Sequence, residues 1–158
     1  LSARDRRLRG FMIRVQQHDF DIGAELAKLT DGNTSIGGVC SFVGLVRDFS
    51  GDDGVEAMTL EHYPGMTEKA LRKIAEEAIQ RWALTDALVI HRYGRLEPGD
   101  QIMMVATASR HRKDAFEAAD FLMDFLKSRA PFWKKEQSAT GEAWVAARDE
   151  DEKALDRW

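Results

Sequence analysis

The chain has 158 residues, of which 44% are hydrophobic, and this length and composition fit a single globular domain with a substantial core. Its 27 acidic and 23 basic residues give a formal net charge of −4, which argues against a generic nucleic-acid-binding protein, whose footprint is an excess of Lys and Arg. Cys40 is the single cysteine, so the sequence excludes an intramolecular disulfide and a paired redox motif and favours a reducing, cytoplasmic location. No apolar run approaches the ~20 residues that a membrane-spanning helix needs.

The first predicted elements are a strand, a short helix and a second strand. Residues 1–11 are charged and lack a signal-type hydrophobic region, so we set them aside as an N-terminal extension. Alternation predicts a strand over Met12–His18, and Asp21–Leu29 has a helical pattern with Asp at its entrance. Ser35–Arg47 has apolar residues at both odd and even positions, which predicts a strand buried on both faces. Its glycines indicate bulges or close backbone approach. These glycines are Gly37, Gly38 and Gly44.

The middle of the chain predicts a strand, a long helix and a hairpin. Val55–Tyr63 has a strand pattern, and Thr67–Trp82 carries apolar residues at helical spacing with charged residues opposite. Ala87–Leu96 and Gln101–Ser109 are predicted strands on either side of the turn Glu97–Asp100, whose Pro and Gly supply the backbone angles that a turn requires. We expect these two strands to pair.

The last third predicts the second long helix, over Lys113–Ser128, followed by a ribbon formed around Phe132–Gln137 and Glu142–Ala146. Asp149–Trp158 is a charged tail with some helical character. No repeat, low-complexity tract or Ser/Pro-rich linker divides the chain. The pattern therefore predicts an α+β domain with a mixed sheet and two major helices.

The stretch from Leu126 to Glu136 is the most informative about function. Lys127 falls in the last turn of the predicted helix, and Pro131 prevents that helix from continuing, so Lys134 and Lys135 must lie on another element that returns past it. Two amines can then converge on one anionic ligand. The alternative is that Lys127 only interacts with the negative end of the helix dipole while the other lysines are solvated.

Two long strings of the sequence closely resemble the large, catalytic subunit of molybdopterin synthase, the MoaE family. They are Leu60–Leu71 (LEHYPGMTEKAL) and Lys127–Lys134 (KSRAPFWK). The resemblance covers residues 12–158, which defines the predicted domain. Shorter matching segments are Phe42–Arg47, Val89–Arg92, Pro98–Asp100, Ala115–Ala118 and Trp144–Arg148.

The resemblance implies an α/β-hammerhead fold and a central homodimer with one small ubiquitin-like subunit at each end, a heterotetramer. The implied reaction converts cyclic pyranopterin monophosphate to molybdopterin by inserting two sulfur atoms. The sulfur arrives as a thiocarboxylate on the C-terminal Gly-Gly tail of the small subunit, so no permanently bound cofactor is implied. Cys40 is then not needed as a sulfur carrier and is better explained as a small core residue.

The resemblance implies that Lys127 and Lys134 are catalytic. Lys127 would position the thiocarboxylate or an intermediate and transfer protons, because a lysine whose pKa is depressed can act as an acid or base. A covalent role for Lys127 stays open. Lys135 and Glu136 complete the substrate-contacting triplet of the family. On a strand, Lys134 and Glu136 would share one face and Lys135 would point away.

Substrate-binding residues are implied at two further places. His111 and Arg112 precede the second long helix, where backbone amides and the helix dipole favour an anion such as phosphate. An ordinary solvated helix start is the alternative for this pair. Arg47 matches another substrate position, with Leu45 and Val46 as provisional members; the family often has lysine where Leu45 stands, which leaves only a backbone contact there. Arg148 matches a family arginine that could reach the site from the same or the partner subunit, and it is provisional because a surface salt bridge explains it nearly as well.

The four histidines and the carboxylates show no metal-like spacing, so we predict no catalytic metal. His62 and His91 lie within predicted strands, where hydrogen bonding in the core or an interface is the favoured role. Two rival functions remain: a noncatalytic scaffold that binds a ubiquitin-like partner, and an RNA-binding domain. Joint retention of the basic site residues argues against the scaffold, and net acidity argues against RNA binding.

Overall fold

The computed structural model describes residues 13–48, 55–138, 141–145 and 153–158, and of residues 55, 56, 135–138 and 141–145 it describes the backbone alone. Three α-helices lie in these ranges: α1 (Ile22–Thr30), α2 (Met66–Arg81) and α3 (Arg112–Ser128). The strands described are β1 (Ile13–Gln16), β2 (Gly38–Leu45), β3 (Val55–His62), β4 (Asp86–Arg92), β5 (Gly94–Leu96), β6 (Gln101–Ser109), β7 (Phe132–Ser138) and β8 (Gly141–Val145). None of the described helices is long and apolar enough to cross a membrane.

The strands form two four-stranded sheets. The first has the order β1-β4-β6-β2, with β1 parallel to β4 and the other pairs antiparallel; the second has the order β5-β3-β7-β8 and is antiparallel. Side chains on β4 alternate between two apolar clusters. Ala87 and Val89 pack in the cluster that includes α2 and α3, while Leu88 and Ile90 pack in the cluster that includes α1. The predicted α+β class with a mixed sheet and two major helices is confirmed.

The predicted helices are confirmed to within one residue at each end. Asp21 is the N-cap of α1, and its carboxylate accepts a hydrogen bond of 2.8 Å from the amide of Ala24. The Gly65 amide, at the N-cap of α2, donates to the Glu68 carboxylate at 2.7 Å. The C-terminal ribbon is also confirmed, because β7 and β8 pair from Lys134 to Ser138.

The prediction of one continuous strand over Ala87–Leu96 is wrong. The strand breaks at Tyr93, and Gly94 has φ of +92°, a left-handed conformation that glycine adopts without a Cβ penalty. Beyond this kink β5 leaves the first sheet and pairs with β3 in the second sheet. The expected pairing of β4 with β6 is confirmed, with Leu88 opposite Ala106. The kink is thus the place where the chain passes between sheets.

The prediction that β2 is buried on both faces is wrong for this chain. It is an edge strand of the first sheet, and Val39, Phe42 and Leu45 are 39%, 45% and 56% exposed. The close approach predicted at Gly37 is confirmed, since a Cβ there would lie 2.1 Å from the carbonyl oxygen of Arg110. The predicted bulge is also confirmed, because the β2-β6 register shifts between Gly44 and Leu45.

The end of the chain packs against the two long helices. Residues 153–154 are helical and Leu155–Arg157 forms a 3₁₀ turn, which agrees with the helical character expected of the tail. Trp158 makes edge contacts with Trp82 and Phe121 at centroid distances of 5.5 and 5.7 Å. Its indole nitrogen donates to the buried carboxylate of Asp124, which satisfies that carboxylate together with Arg157.

Candidate active site

The two predicted catalytic lysines lie on different elements, as expected. Helix α3 ends at Ser128, so Lys127 is in its last turn and is exposed. After Pro131 the chain enters β7, where Lys134 is half-buried and lies opposite Leu60 of β3. Pro131 cannot donate a helical hydrogen bond, and this explains why the chain turns into a strand there.

His91, the next-to-last residue of β4, shows that the two lysines share one neighbourhood. Its side chain is buried, and desolvation is the largest cause that lowers its pKa, to about 4. The charges of Lys127, His62 and Lys134 lower this pKa further, while the hydrogen bond to the Arg92 carbonyl opposes the shift. Phe132, which stacks on His91, begins the strand that carries Lys134 and follows the end of the helix that carries Lys127, so both lysines belong to this neighbourhood.

Aromatic rings form one wall of this region. The His91 ring is stacked on Phe132, with centroids 3.7 Å apart and 16° between the planes. His62 lies 4.6 Å from Tyr93 and 5.9 Å from Phe132 by ring centroids. Its Nδ1 is 3.0 Å from the Thr67 hydroxyl. These rings form an apolar cluster where β3, β4 and β7 meet.

The start of α3 is a separate part of the candidate site. His111 is the N-cap and has no side-chain capping hydrogen bond, so that the first-turn amides of the helix are not occupied by its side chain. His111, Arg112 and Lys113 line an open depression of about 640 Å³ with Phe116 and Glu117. The Ser109 hydroxyl donates to the His111 carbonyl and holds the turn. Cationic side chains and a helix N-terminus together suit a phosphate group.

The structure does not bring all predicted substrate-binding residues together within one chain. Strand β2 runs from Gly38, which pairs with Ser109, to Leu45, which pairs with Gln101. Eight extended residues span about 24 Å. Arg47 therefore lies beyond one end of β2, while His111 and Arg112 lie at the other.

Helix α3 separates the same two groups of residues. It starts beside the Ser109 end of β6 and packs on β6 and β2, and its 17 residues extend about 25 Å. Its last turn carries Lys127 towards the end of β4 where His91 pairs with Met103. Arg47 and the two lysines thus belong to one end of the domain, and the phosphate-type site belongs to the other.

The remaining predicted residues are described to different extents. Leu45 is exposed and Val46 is buried, with its amide 2.8 Å from the Asp100 carbonyl. Lys135 and Glu136 occupy register positions opposite Thr59 and Met58, and their side chains lie outside the described part. Arg148 and residues 1–12 lie outside the described residues altogether.

The expected core role of Cys40 fits its position. The thiol is partly buried, and burial raises its pKa, which disfavours the reactive thiolate. Within the ranges described, no group of three His, Cys, Asp or Glu side chains could hold a metal ion.

His91 is predicted from the sequence to form hydrogen bonds in the core or an interface, and its position near the lysines is not predicted. Its position near the lysines depends on the approach of β4 to β7, which are strands of different sheets. Strand patterns give the faces of a strand but not its neighbours across a sheet junction. The stacking of His91 on Phe132 could not therefore be read from either segment alone.

Comparison with known proteins defines the class. Residues 15–129 match the family model described as MoaE protein. A curated relative named molybdopterin synthase catalytic subunit, from Ralstonia nicotianae, is 62% identical over 146 residues, which cover 92% of this chain and 83% of the relative. These matches define an enzyme subunit of the molybdopterin synthase class.

Solved structures agree. A MoaE protein from Burkholderia ambifaria has a TM-score of 0.81 and 56% identity, with 93% of this chain and 97% of that chain covered. Molybdopterin synthase from Staphylococcus aureus has a TM-score of 0.78 and 30% identity, with 87% and 97% covered. The chain belongs to the MoaE family, and the predicted family and enzyme class are confirmed.

Proposed function

We propose that this chain is the catalytic subunit that converts cyclic pyranopterin monophosphate to molybdopterin, with sulfur from the C-terminal thiocarboxylate of a small ubiquitin-like subunit. The observation that supports this most directly is that the elements carrying Lys127 and Lys134 meet at Phe132, which is stacked on His91. Two amines beside an aromatic wall suit a bound thiocarboxylate anion, because ammonium groups balance its charge while the rings limit its hydrolysis by water.

The lysines have complementary roles in this proposal. Lys127, exposed at the end of α3, can turn towards the tail of the small subunit, hold the thiocarboxylate and give a proton to the substrate oxygen that departs as the carbon–sulfur bond forms. Lys134 is half-buried on a strand, so it supplies a more fixed positive charge. Water then cleaves the bond between the transferred sulfur and the small subunit's carbonyl carbon, which leaves a C-terminal carboxylate.

The substrate phosphate is bound by His111 and Arg112 at the start of α3, with Arg47 as a further cation. A single chain separates these groups by the length of β2, so we infer that a second copy completes each site. The edge strand β2 exposes Val39 and Phe42, which an adjoining copy would cover. Two-fold antiparallel packing along β2 brings the His111 end of one copy to the Lys127 end of the other.

The remaining candidate residues are assigned to the same site, shared between two copies of the chain. Lys135 and Glu136 line the substrate beside Lys134, Leu45 and Val46 contribute backbone beside Arg47, and Arg148 is a provisional further cation. The assembly is a homodimer with one small subunit at each end. The chain needs no permanently bound cofactor, and a reducing cytoplasm suits its single cysteine.

The test is product formation from cyclic pyranopterin monophosphate by the purified chain and the small subunit, prepared in thiocarboxylate and ordinary carboxylate forms. We expect molybdopterin only with the thiocarboxylate, and two small-subunit thiocarboxylates consumed for each product. A folded chain that binds the small subunit but forms no product, under conditions in which a working synthase pair does, would support the scaffold function instead.

A further inference from the structure

The tautomer of His91 is determined by its backbone partner. Its Nδ1 lies 2.8 Å from the carbonyl oxygen of Arg92, and a carbonyl can only accept, so Nδ1 carries the hydrogen. In the neutral ring Nε2 is then an acceptor. No hydrogen bond to Nε2 is found among the described residues, and no buried side-chain nitrogen or oxygen there lacks a partner. Nε2 therefore faces accessible space.

The orientation of the ring is also determined. Stacking on Phe132 at 3.7 Å fixes the plane of the imidazole, and only 7% of the residue is exposed. The charged and titratable groups that act on it are Lys127 from α3, Lys134 from β7 and His62 from β3, all of them basic. An acceptor with a fixed direction is thus present at Phe132, where the chain passes from the helix of Lys127 to the strand of Lys134.

We propose that His91 is a positioning residue whose Nε2 accepts a hydrogen bond from the ammonium group of Lys127 when that lysine enters the pocket during sulfur transfer. The inference rests on the proposed function and adds to it a residue that orients the catalytic amine. His91 itself need not touch the thiocarboxylate or the substrate.

A neutral acceptor suits this purpose better than a charged one. A carboxylate beside Lys127 would favour the ammonium form and hold the proton, whereas a protonated imidazole would repel the lysine. The pKa of His91 is lowered to about 4, so the ring is uncharged at neutral pH. It can therefore orient Lys127 while leaving the amine able to give up a proton.

The variants that test this are His91→Phe, which keeps a flat ring against Phe132 but removes the acceptor, and His91→Gln, which restores an acceptor near the Nε2 position. His18→Gln, at an exposed position, is the matched control. The assay is steady-state product formation by the full chain with the thiocarboxylated small subunit. It records kcat, KM and the pH profile of kcat.

We expect His91→Phe to lower kcat about tenfold to a hundredfold through misplacement of the amine, with little change in KM. The pH profile of kcat should also change, because a hydrogen bond to the ammonium form of the amine is lost. His91→Gln should recover much of both, and His18→Gln should match the wild type. A His91→Phe enzyme with the wild-type rate and profile would overturn the inference, as would equal impairment of both variants with an unshifted profile.

A measurement without a change at residue 91 keeps the inference testable if the variants unfold. Nitrogen NMR of the wild-type complex at neutral pH should show Nε2 as the unprotonated nitrogen, and its resonance should move in Lys127→Ala. A protonated Nε2, or a resonance unaffected by that substitution, would refute the inference. An inactive wild-type chain with a bound thiocarboxylated partner would instead refute the proposed function, which separates the two failures.

Discussion

The imidazole of His91 is stacked on the ring of Phe132, with centroids 3.7 Å apart. His91 belongs to β4 of the first sheet and Phe132 to β7 of the second, so this contact joins the two sheets. Phe132 directly follows Pro131, where the chain leaves α3 and turns into the strand that carries Lys134. The contact therefore fixes where Lys134 lies relative to the end of α3 and to Lys127.

Burial of His91 predicts a pH dependence of stability. Its pKa is about 4 in the folded chain against an ordinary 6.5, so between these values the unfolded chain binds more protons than the folded one. Stability therefore falls as the pH is lowered from 6.5 to 4, by about 3 kcal/mol for this group. Denaturant unfolding at a series of pH values measures it.

His91→Phe removes this titrating group and should flatten the unfolding free energy over that pH range. His18→Gln, at an exposed site, should keep the wild-type slope. An unchanged slope in His91→Phe would show that another group causes the pH dependence.

The separation of Arg47 and Lys127 from Arg112 predicts complementation between inactive variants. In a mixture of Lys127→Ala and Arg112→Ala, each chain carries one defect, but a mixed dimer has one site free of both. Random exchange of equal amounts should restore about a quarter of wild-type activity. The measurement is product formation after the two variants have been allowed to exchange subunits.

The matched control is a mixture of Lys127→Ala and Lys134→Ala. Both of these residues lie at the same end of the domain, so every site in every dimer keeps a defect and activity should stay absent. Equal recovery in both mixtures, or none in the first despite verified subunit exchange, would contradict a site shared between two copies.

Gly37 predicts a local stability effect next to the phosphate-type site. A Cβ at this residue would lie 2.1 Å from the Arg110 carbonyl oxygen, which is backbone and cannot rotate away. Gly37→Ala should destabilise the fold by about 1–3 kcal/mol, as overpacking does. Gly23→Ala is the control, because Gly23 lies within α1 with room for a Cβ and alanine favours a helix. Thermal unfolding compares the two variants. Equal melting temperatures would show that the backbone at Arg110 moves away without loss of stability.

Much of the fold could be predicted from local patterns. The three helices have clear periodicity and entrance residues, and Pro131 correctly indicated that Lys127 and Lys134 lie on different elements. The break at Tyr93 was missed, because β4 and β5 have the pattern of one continuous strand although Gly94 turns the chain into another sheet. The exposure of β2 was missed because its apolar residues indicate burial without indicating whether this chain or a second copy supplies the cover.

The candidate site shows a similar division. Lysine, arginine and histidine at the ends of predicted elements marked the candidate anion-binding residues. Their distribution between two ends of the domain depends on the β2-β6 register and on the direction of α3, which single segments do not determine. The same is true of His91, whose neighbours come from α3, β3 and β7.

The most direct test of the central claim is to measure the rate of sulfur transfer by Lys127→Ala. The control is Lys73→Ala, which removes an exposed lysine from α2. Loss of a cation from the end of α3 costs the fold only about 0.3–1 kcal/mol, so both variants should fold and bind the small subunit. We expect Lys127→Ala to form product at least about a hundredfold more slowly than the wild type, while Lys73→Ala keeps the full rate. Wild-type turnover by Lys127→Ala would contradict the account.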